Sequence, residues 1–493
     1  MANPAPQYCA LLMLACLPAS LLMAQSKPPS AAEAEMQTHI QNIVSRLQPP
    51  VVLKDDPATV HTLADRMAEM HIPGVSIAVL HNGNIDWAQG FGVASIGGPP
   101  VTVETIFQAG SISKPVAAMG ALKLAQQRKF SLDVSVNAYM KGWQLPQEAI
   151  AAGKPVTLRE LLTHTGGTTV HGFRGYAADE KVPTLIEVLN GEKPANSAPI
   201  RVETEPGTKW NYSGGGYTIM QEMVVETTRE PFPKYMHDTV LGPIGMNHST
   251  YEQPLPEERK ALAATPYDRD GKPIPGGAHT YPEMAAAGLW TEPTDLARYI
   301  LEVRQELQGK SSFVLSREMT KQMLTPGMGN WGLGLQIGGS ASNPYFSHGG
   351  VNEGFESLFV AYENSGDGAV VMTNAAGGSA LCEEVMRSIA TEYNWPDWRP
   401  TVKAAVPVDA KTLADYAGKY ELGPNFYLEI SVEDGHLVGQ ATGDRKLRLY
   451  AESETRFFPL EMPAEVEFVR DADGKVSKIL LQQNGHEVPA PRK

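Results

Sequence analysis

The chain is poor in cysteine, with three in 493 residues. Cys9 and Cys16 fall in an apolar N-terminal stretch, so Cys382 is left alone and a disulfide framework is excluded. On a helix-period apolar pattern, Cys382 reads as a small buried hydrophobe. Positive charge is in the minority: 41 Lys and Arg against 55 Asp and Glu give a net charge of −14. That balance excludes nucleic acid as the main partner. Beyond the N-terminus there is no run long and apolar enough to span a bilayer. The 12 histidines are scattered without ligand spacing, so neither a metal nor another cofactor is expected. No repeat array is present.

What is there belongs to a soluble globular protein: 42% hydrophobic and 19% charged residues, in a length that allows two or more domains with real cores. Residues 9–24 are almost wholly apolar, too short for a comfortable span, and are followed by Gln25-Ser26-Lys27. Residues 1–26 therefore read as a secretory signal peptide with Ala24 at the cleavage point, and the protein as exported, periplasmic or secreted. A retained N-terminal anchor is the alternative. Residues 27–55 are polar and alanine-rich and read as a linker with a short helix. The first domain, residues 56–395, is expected to open at Asp56-Pro57, a cap followed by a proline suited to a first helical turn.

Within it, residues 75–80 and 85–93 read as strands joined by the tight turn Asn82-Gly83. Helices are predicted over 116–127, 218–228, 293–307 and 381–389, and a short one from the Thr157/Glu160 capping box. Further strands are predicted over 357–362 and 369–373. The pattern is helices packed on an antiparallel sheet. Proline interrupts it around residues 396–410, a second linker. Short alternating runs separated by Asp434-Gly435, Gly443-Asp444, Asp473-Gly474 and Asn484-Gly485 then indicate an all-β domain over 411–493, a sandwich or barrel.

Chemistry concentrates in three stretches. In Phe107-Gln108-Ala109-Gly110-Ser111-Ile112-Ser113-Lys114, a serine opens a helix and a lysine lies three residues on, on the same face. A hydroxyl becomes a nucleophile when a base takes its proton, and a lysine can serve if burial lowers its pKa. Tyr212 follows a loop and precedes the glycine run Gly214-Gly215-Gly216, which suggests backbone that must come close to something. His348-Gly349-Gly350-Val351 reads as strand. His164, in Leu161-Leu162-Thr163-His164-Thr165-Gly166-Gly167, reads as a residue that pins a helix end through hydrogen bonds.

The order and spacing of these stretches resemble the serine β-lactamase and penicillin-binding-protein superfamily, in its branch of class C β-lactamases, D-alanyl-D-alanine carboxypeptidases, D-aminopeptidases and related esterases. The resemblance covers roughly residues 56–393. It implies an α+β fold: an antiparallel sheet flanked by helices with an all-helical subdomain. Residues 411–493 resemble the lipocalin-like domains appended to some of these hydrolases, which shape the site entrance or mediate oligomerisation. By the same resemblance Ser111 is the acylated nucleophile, Lys114 its base, and Tyr212 the proton shuttle to the leaving group. His348, with Gly349 and Gly350, forms the strand beside the substrate, and the Ser111 and Val351 amides form the oxyanion hole. The resemblance further lets protonated Lys114 lower the Tyr212 pKa. Two positions depart from the family pattern. Gly214 stands where Tyr-x-Asn has asparagine, and His348 stands where the strand motif has lysine. Both changes favour an esterase or a peptidase/amidase of relaxed specificity, acting on a small ester, amide or peptide, with cell-wall-derived peptides among the candidates. A β-lactamase or D-alanyl-D-alanine carboxypeptidase, and a non-catalytic penicillin-binding-like sensor, are the alternatives. No membrane span is expected once the signal is removed. The natural substrate and oligomeric state are not legible in the sequence.

Overall fold

A computed structural model describes residue 1 and residues 30–54, 60–146, 154–483 and 486–493. The signal-peptide stretch, the helix start at Asp56-Pro57 and the Asn484-Gly485 turn lie outside the described residues.

The organising element is a six-stranded antiparallel sheet built from β1 (Gly74–His81), β2 (Asn84–Gly92), β3 (Gln336–Ser340), β4 (Asn343–Asn352), β5 (Phe355–Tyr362) and β6 (Gly368–Thr373), in the order β2-β1-β6-β5-β4-β3. The Asn82-Gly83 turn closes the first hairpin in the register Leu80↔Ile85 and His81↔Asn84. Val75 to Leu80 are all buried, without polar alternation, because both faces of the sheet are covered. Val75, Ile77 and Val79 face one cluster with Leu381 and Ile389, whereas Ala78 and Leu80 face the larger one.

That larger cluster holds α2 (Ser113–Gln126), α3 (Gly214–Thr228) and α4 (Pro293–Gln308). In α4 the predicted stripe Leu296, Tyr299, Ile300 and Val303 is buried, and the helix stops at Gly309, whose φ of 72° suits glycine. The opposite face is covered by α5 (Gly378–Glu392) and by α1 (Ala31–Val44), which buries Ile40 and Ile43. The stretch read as a linker is thus more structured than its composition suggests. Ser30 and Glu33 form a full capping box at the start of α1, and Val51–Leu53 pairs in parallel with Thr401–Lys403. The next helix, Leu63–Glu69, is capped by Thr62.

Residues 418–491 form an eight-stranded antiparallel sheet with strands in sequence order. The Tyr420↔Arg492 bridge and the Lys493 N–H bond to the Lys419 carbonyl (2.9 Å) bring its first and last strands together, so the barrel is nearly closed. Its own core includes Tyr416, Tyr420, Phe457 and Phe468. A small cluster of Val51, Phe458 and Leu460 joins it to the body. No described helix is long and apolar enough to cross a membrane.

Candidate active site

The short β-strand Phe107–Gln108 leads into a 3-10 turn, Gly110–Ile112, that runs straight into α2. The Ala109 amide donates to the Leu289 carbonyl, and the Ala109 carbonyl accepts from Ser357 Oγ (3.1 Å). Ser113 Oγ donates to the Gly110 carbonyl (2.6 Å) and accepts from the Leu289 amide (2.9 Å). The turn carrying Ser111 is therefore held from both sides. It crosses the end of β4 backbone to backbone. A Cβ on Gly110 would lie 2.4 Å from the Val351 nitrogen, and one on Gly350 would lie 1.9 Å from the Ala109 oxygen. Gly350→Ala is expected to force the strands apart, with at least ~100-fold loss of kcat/KM and about 1–3 kcal/mol of stability; steady-state kinetics and a thermal melt check both.

Lys114 is 2% exposed, and its Nζ lies 2.9 Å from Ser111 Oγ and 2.8 Å from the Ala286 carbonyl oxygen. Burial depresses its pKa to about 7. Tyr212 reaches the same point from the other side: it lines the same cavity as Ser111, and Lys114 Nζ lies 5.0 Å from its ring centroid. The expected depression of the Tyr212 pKa is not found. Burial pushes it above the usual phenol range, against the smaller opposing effect of Ser111. Desolvation outweighs the lysine because the same burial strips Lys114 of its charge near neutral pH.

His348 lies on β4, buried, with Nδ1 2.5 Å from the Gly349 carbonyl oxygen. A carbonyl only accepts, so Nδ1 carries the hydrogen and Nε2 keeps a lone pair, which has no partner among the described residues. Burial first, and the neighbouring Lys114 second, depress its pKa to about 3, so it is neutral at pH 7.

His164 pins the Tyr212 loop as well as a helix end. Its carbonyl accepts from the Asn211 amide (2.8 Å), its Nδ1 accepts from the Ser213 amide (3.1 Å), and its ring lies 4.2 Å from the Tyr212 ring. The glycine run proves to be the first turn of α3, which starts at Gly214 rather than Thr218, under a Ser213 cap. The glycines are there for proximity: a Cβ on Gly215 would lie 2.5 Å from the Thr169 oxygen.

Ser111, Lys114, Tyr212, His348, Gly349, Gly350 and Val351 all line one cavity of ≈ 370 Å³. Gly214 does not; its amide donates to the His171 carbonyl (2.9 Å). Lining residues that sequence reasoning passed over include His171, Phe173, Trp331 and Asn352. Asn352 ties β4 to its surroundings by donating to Gln108 Oε1 and the Ala287 carbonyl, both at 3.0 Å. The small-residue run before Trp290 was the one available signal for the Ala286 carbonyl, since small side chains let backbone approach Lys114. No group of three or more His, Cys, Asp or Glu among the described residues is placed to hold a metal.

A helix-flanked antiparallel sheet that presents serine, lysine and tyrosine at one cavity defines a class of serine-hydrolase folds. The beta-lactamase family matches residues 60–390, and a domain of unknown function, DUF3471, matches residues 402–489. The chain belongs to the beta-lactamase family of serine hydrolases. It is 22% identical over 457 residues to penicillin-binding protein 4* of Bacillus subtilis, spanning 86% of this chain and 96% of that one. It is 28% identical over 245 residues to a beta-lactamase of Pseudomonas fluorescens, spanning 48% and 62%. The octameric penicillin-binding protein homologue from Pyrococcus abyssi shares the fold with a TM-score of 0.57 at 21% identity, covering 87% of this chain and 98% of that one. The D-amino acid amidase from Ochrobactrum anthropi shares it with a TM-score of 0.54 at 20% identity, over 72% and 99%.

Proposed function

We propose that the protein is an exported hydrolase that cleaves uncharged esters or amides through an acyl-enzyme on Ser111. Above pH 7 Lys114 is mostly an uncharged amine, able to take the Ser111 proton while keeping its bond to the Ala286 carbonyl. Oγ then attacks the substrate carbonyl. Tyr212, kept as a neutral phenol by burial and lining the same cavity as Ser111, is suited to hand a proton to the leaving group. The Ser111 and Val351 amides, brought close by Gly110 and Gly350, are the proposed oxyanion donors, worth ~3 kcal/mol each. Water releases the acyl group by the reverse relay.

The observation that carries the substrate reading is the charge of the cavity. Among the described residues no arginine, aspartate or glutamate lines it, Lys114 loses its charge as the pH rises through about 7, and His348 is neutral. A substrate carboxylate would be desolvated there without a counter-ion, which disfavours β-lactams and D-alanyl-D-alanine peptides. Export rests on the sequence of residues 9–24. The purified enzyme is expected to hydrolyse p-nitrophenyl butyrate with a kcat/KM at least ~100-fold above that for nitrocefin. The reverse order would overturn the substrate reading in favour of a β-lactamase.

A further inference from the structure

The C-terminal region holds a further cavity, of ≈ 450 Å³, that shares no lining residue with the one around Ser111. Three segments far apart in sequence wall it: Leu53 from the body, Val406 and Val408 from the proline-containing stretch before the barrel, and His436, Arg448 and Phe457 from the barrel itself. The cavity forms where a strand runs out of partners. Strand Lys446–Ala451 pairs with strand His436–Ala441 only as far as Leu449↔Leu437, and beyond that point the Ala451 carbonyl accepts from the Val406 amide at 2.9 Å. The stretch before the barrel thus lies along the strand and roofs a gap. The barrel interior is a different space, filled by Tyr416 stacked on Phe468 (ring centroids 4.0 Å apart) together with Tyr420 and Phe457.

The walls of the cavity are mostly apolar, and Val406 stays 42% exposed. Among the described residues Arg448 is the charged group of the lining, and it has no acidic partner. Its neighbours are already paired: Lys446 with Glu433 at 2.7 Å and Lys403 with Glu452 at 3.2 Å. The guanidinium is nevertheless held, 4.9 Å over the Tyr450 ring centroid and with one nitrogen 2.5 Å from His436 Nε2. An arginine only donates, so His436 accepts and adds no charge. A guanidinium fixed in this way keeps donors in a fork that fits a planar carboxylate. One cation beside an apolar wall matches one negative charge on an aliphatic chain, and the volume falls within the ~300–1,000 Å³ of small-molecule sites.

We propose that this cavity binds an aliphatic monocarboxylate, with its carboxylate on Arg448 and its chain along Leu53, Val406 and Val408. The inference goes beyond the hydrolase reading, because the site lies outside the Ser111 cavity. Since Leu53 belongs to the body and Arg448 to the barrel, the bound chain bridges the two.

The test is calorimetric titration of the full chain with octanoate and with 1-octanol, which has the same chain without the charge. The protein is first treated with a fluorophosphonate, so that an adduct on Ser111, checked by intact mass, keeps both ligands out of the active site. Octanoate is expected to bind the wild type at least about tenfold more tightly than 1-octanol. Arg448→Met keeps a stem over Tyr450 but removes the donors, and is expected to erase that difference by weakening octanoate alone. Val406→Trp, at an exposed position, is expected to fill the cavity and weaken both ligands by about tenfold or more. Equal affinities in the wild type, loss of both ligands in Arg448→Met, or octanoate binding that neither substitution alters overturns the inference. So does a folded wild type that takes up no octanoate at about 1 mM. Absence of the Ser111 adduct overturns the hydrolase reading instead, and the two variants still decide this one, because neither residue lines the Ser111 cavity.

Discussion

Ser111→Ala is expected to lower turnover of any ester substrate by roughly 10⁴-fold or more and to remove the fluorophosphonate adduct seen on the wild type by intact mass. The size follows from the geometry. Ser111 Oγ is the hydroxyl to which Lys114 is hydrogen-bonded, in the cavity that Tyr212 also lines, so its loss leaves the lysine with nothing to activate. Stability should move little, because Lys114 keeps the Ala286 carbonyl and the turn is held by Ala109 and Ser113 rather than by Ser111. An adduct retained on the variant would place the nucleophile elsewhere. A folded wild type that forms no adduct would bring forward the non-catalytic, penicillin-binding-like sensor.

Lys114→Met is expected to cost ~10³-fold or more in kcat/KM and to stabilise the fold. Burial lowers the Lys114 pKa from 10.5 to about 7, and at ~1.4 kcal/mol per unit the buried charge costs on the order of 5 kcal/mol at low pH. Stranding Ser111 Oγ and the Ala286 carbonyl returns ~1 kcal/mol each, so a net gain of about 2–3 kcal/mol is expected at pH 6. The sign with pH is definite. Between pH 7 and 10.5 the unfolded chain holds the lysine proton and the folded one does not, so wild-type stability rises with pH across that window. The advantage of methionine is therefore largest at and below pH 7 and fades towards pH 10, which denaturant melts of both proteins at pH 6 and 9.5 would read. The same titration makes wild-type kcat/KM climb about tenfold per pH unit below 7 and level off above it. A pH-independent stability difference would mean that Lys114 binds its proton equally in the folded and unfolded chains, so that burial does not lower its pKa.

Local signals made much of this molecule legible. Asn82-Gly83 marked its hairpin, Thr157 with Glu160 its capping box, and the apolar stripe of residues 293–307 its helix, because each depends on residues within a few positions of one another. The Ser111–Lys114 spacing gave the hydrogen-bonded pair for the same reason. The glycine run at 214–216 misled on the start of α3. Glycine disfavours a helix intrinsically, and only contact with the segment at Thr169 and Val170 shows why it is used.

By itself, then, the sequence determined the order of the main elements, the hydrogen-bonded Ser111–Lys114 pair, the beta-lactamase family and the all-β C-terminal region. Only the tertiary structure decided the electrostatics and the walls of the site. Lys114 meets a carbonyl 172 residues away, Tyr212 loses its solvent, and His171 covers the face that Gly214 leaves bare. Desolvation sums over whatever the whole chain packs around a group. The direction of the Tyr212 shift is therefore set by neighbours distant in sequence and not by the residues beside it.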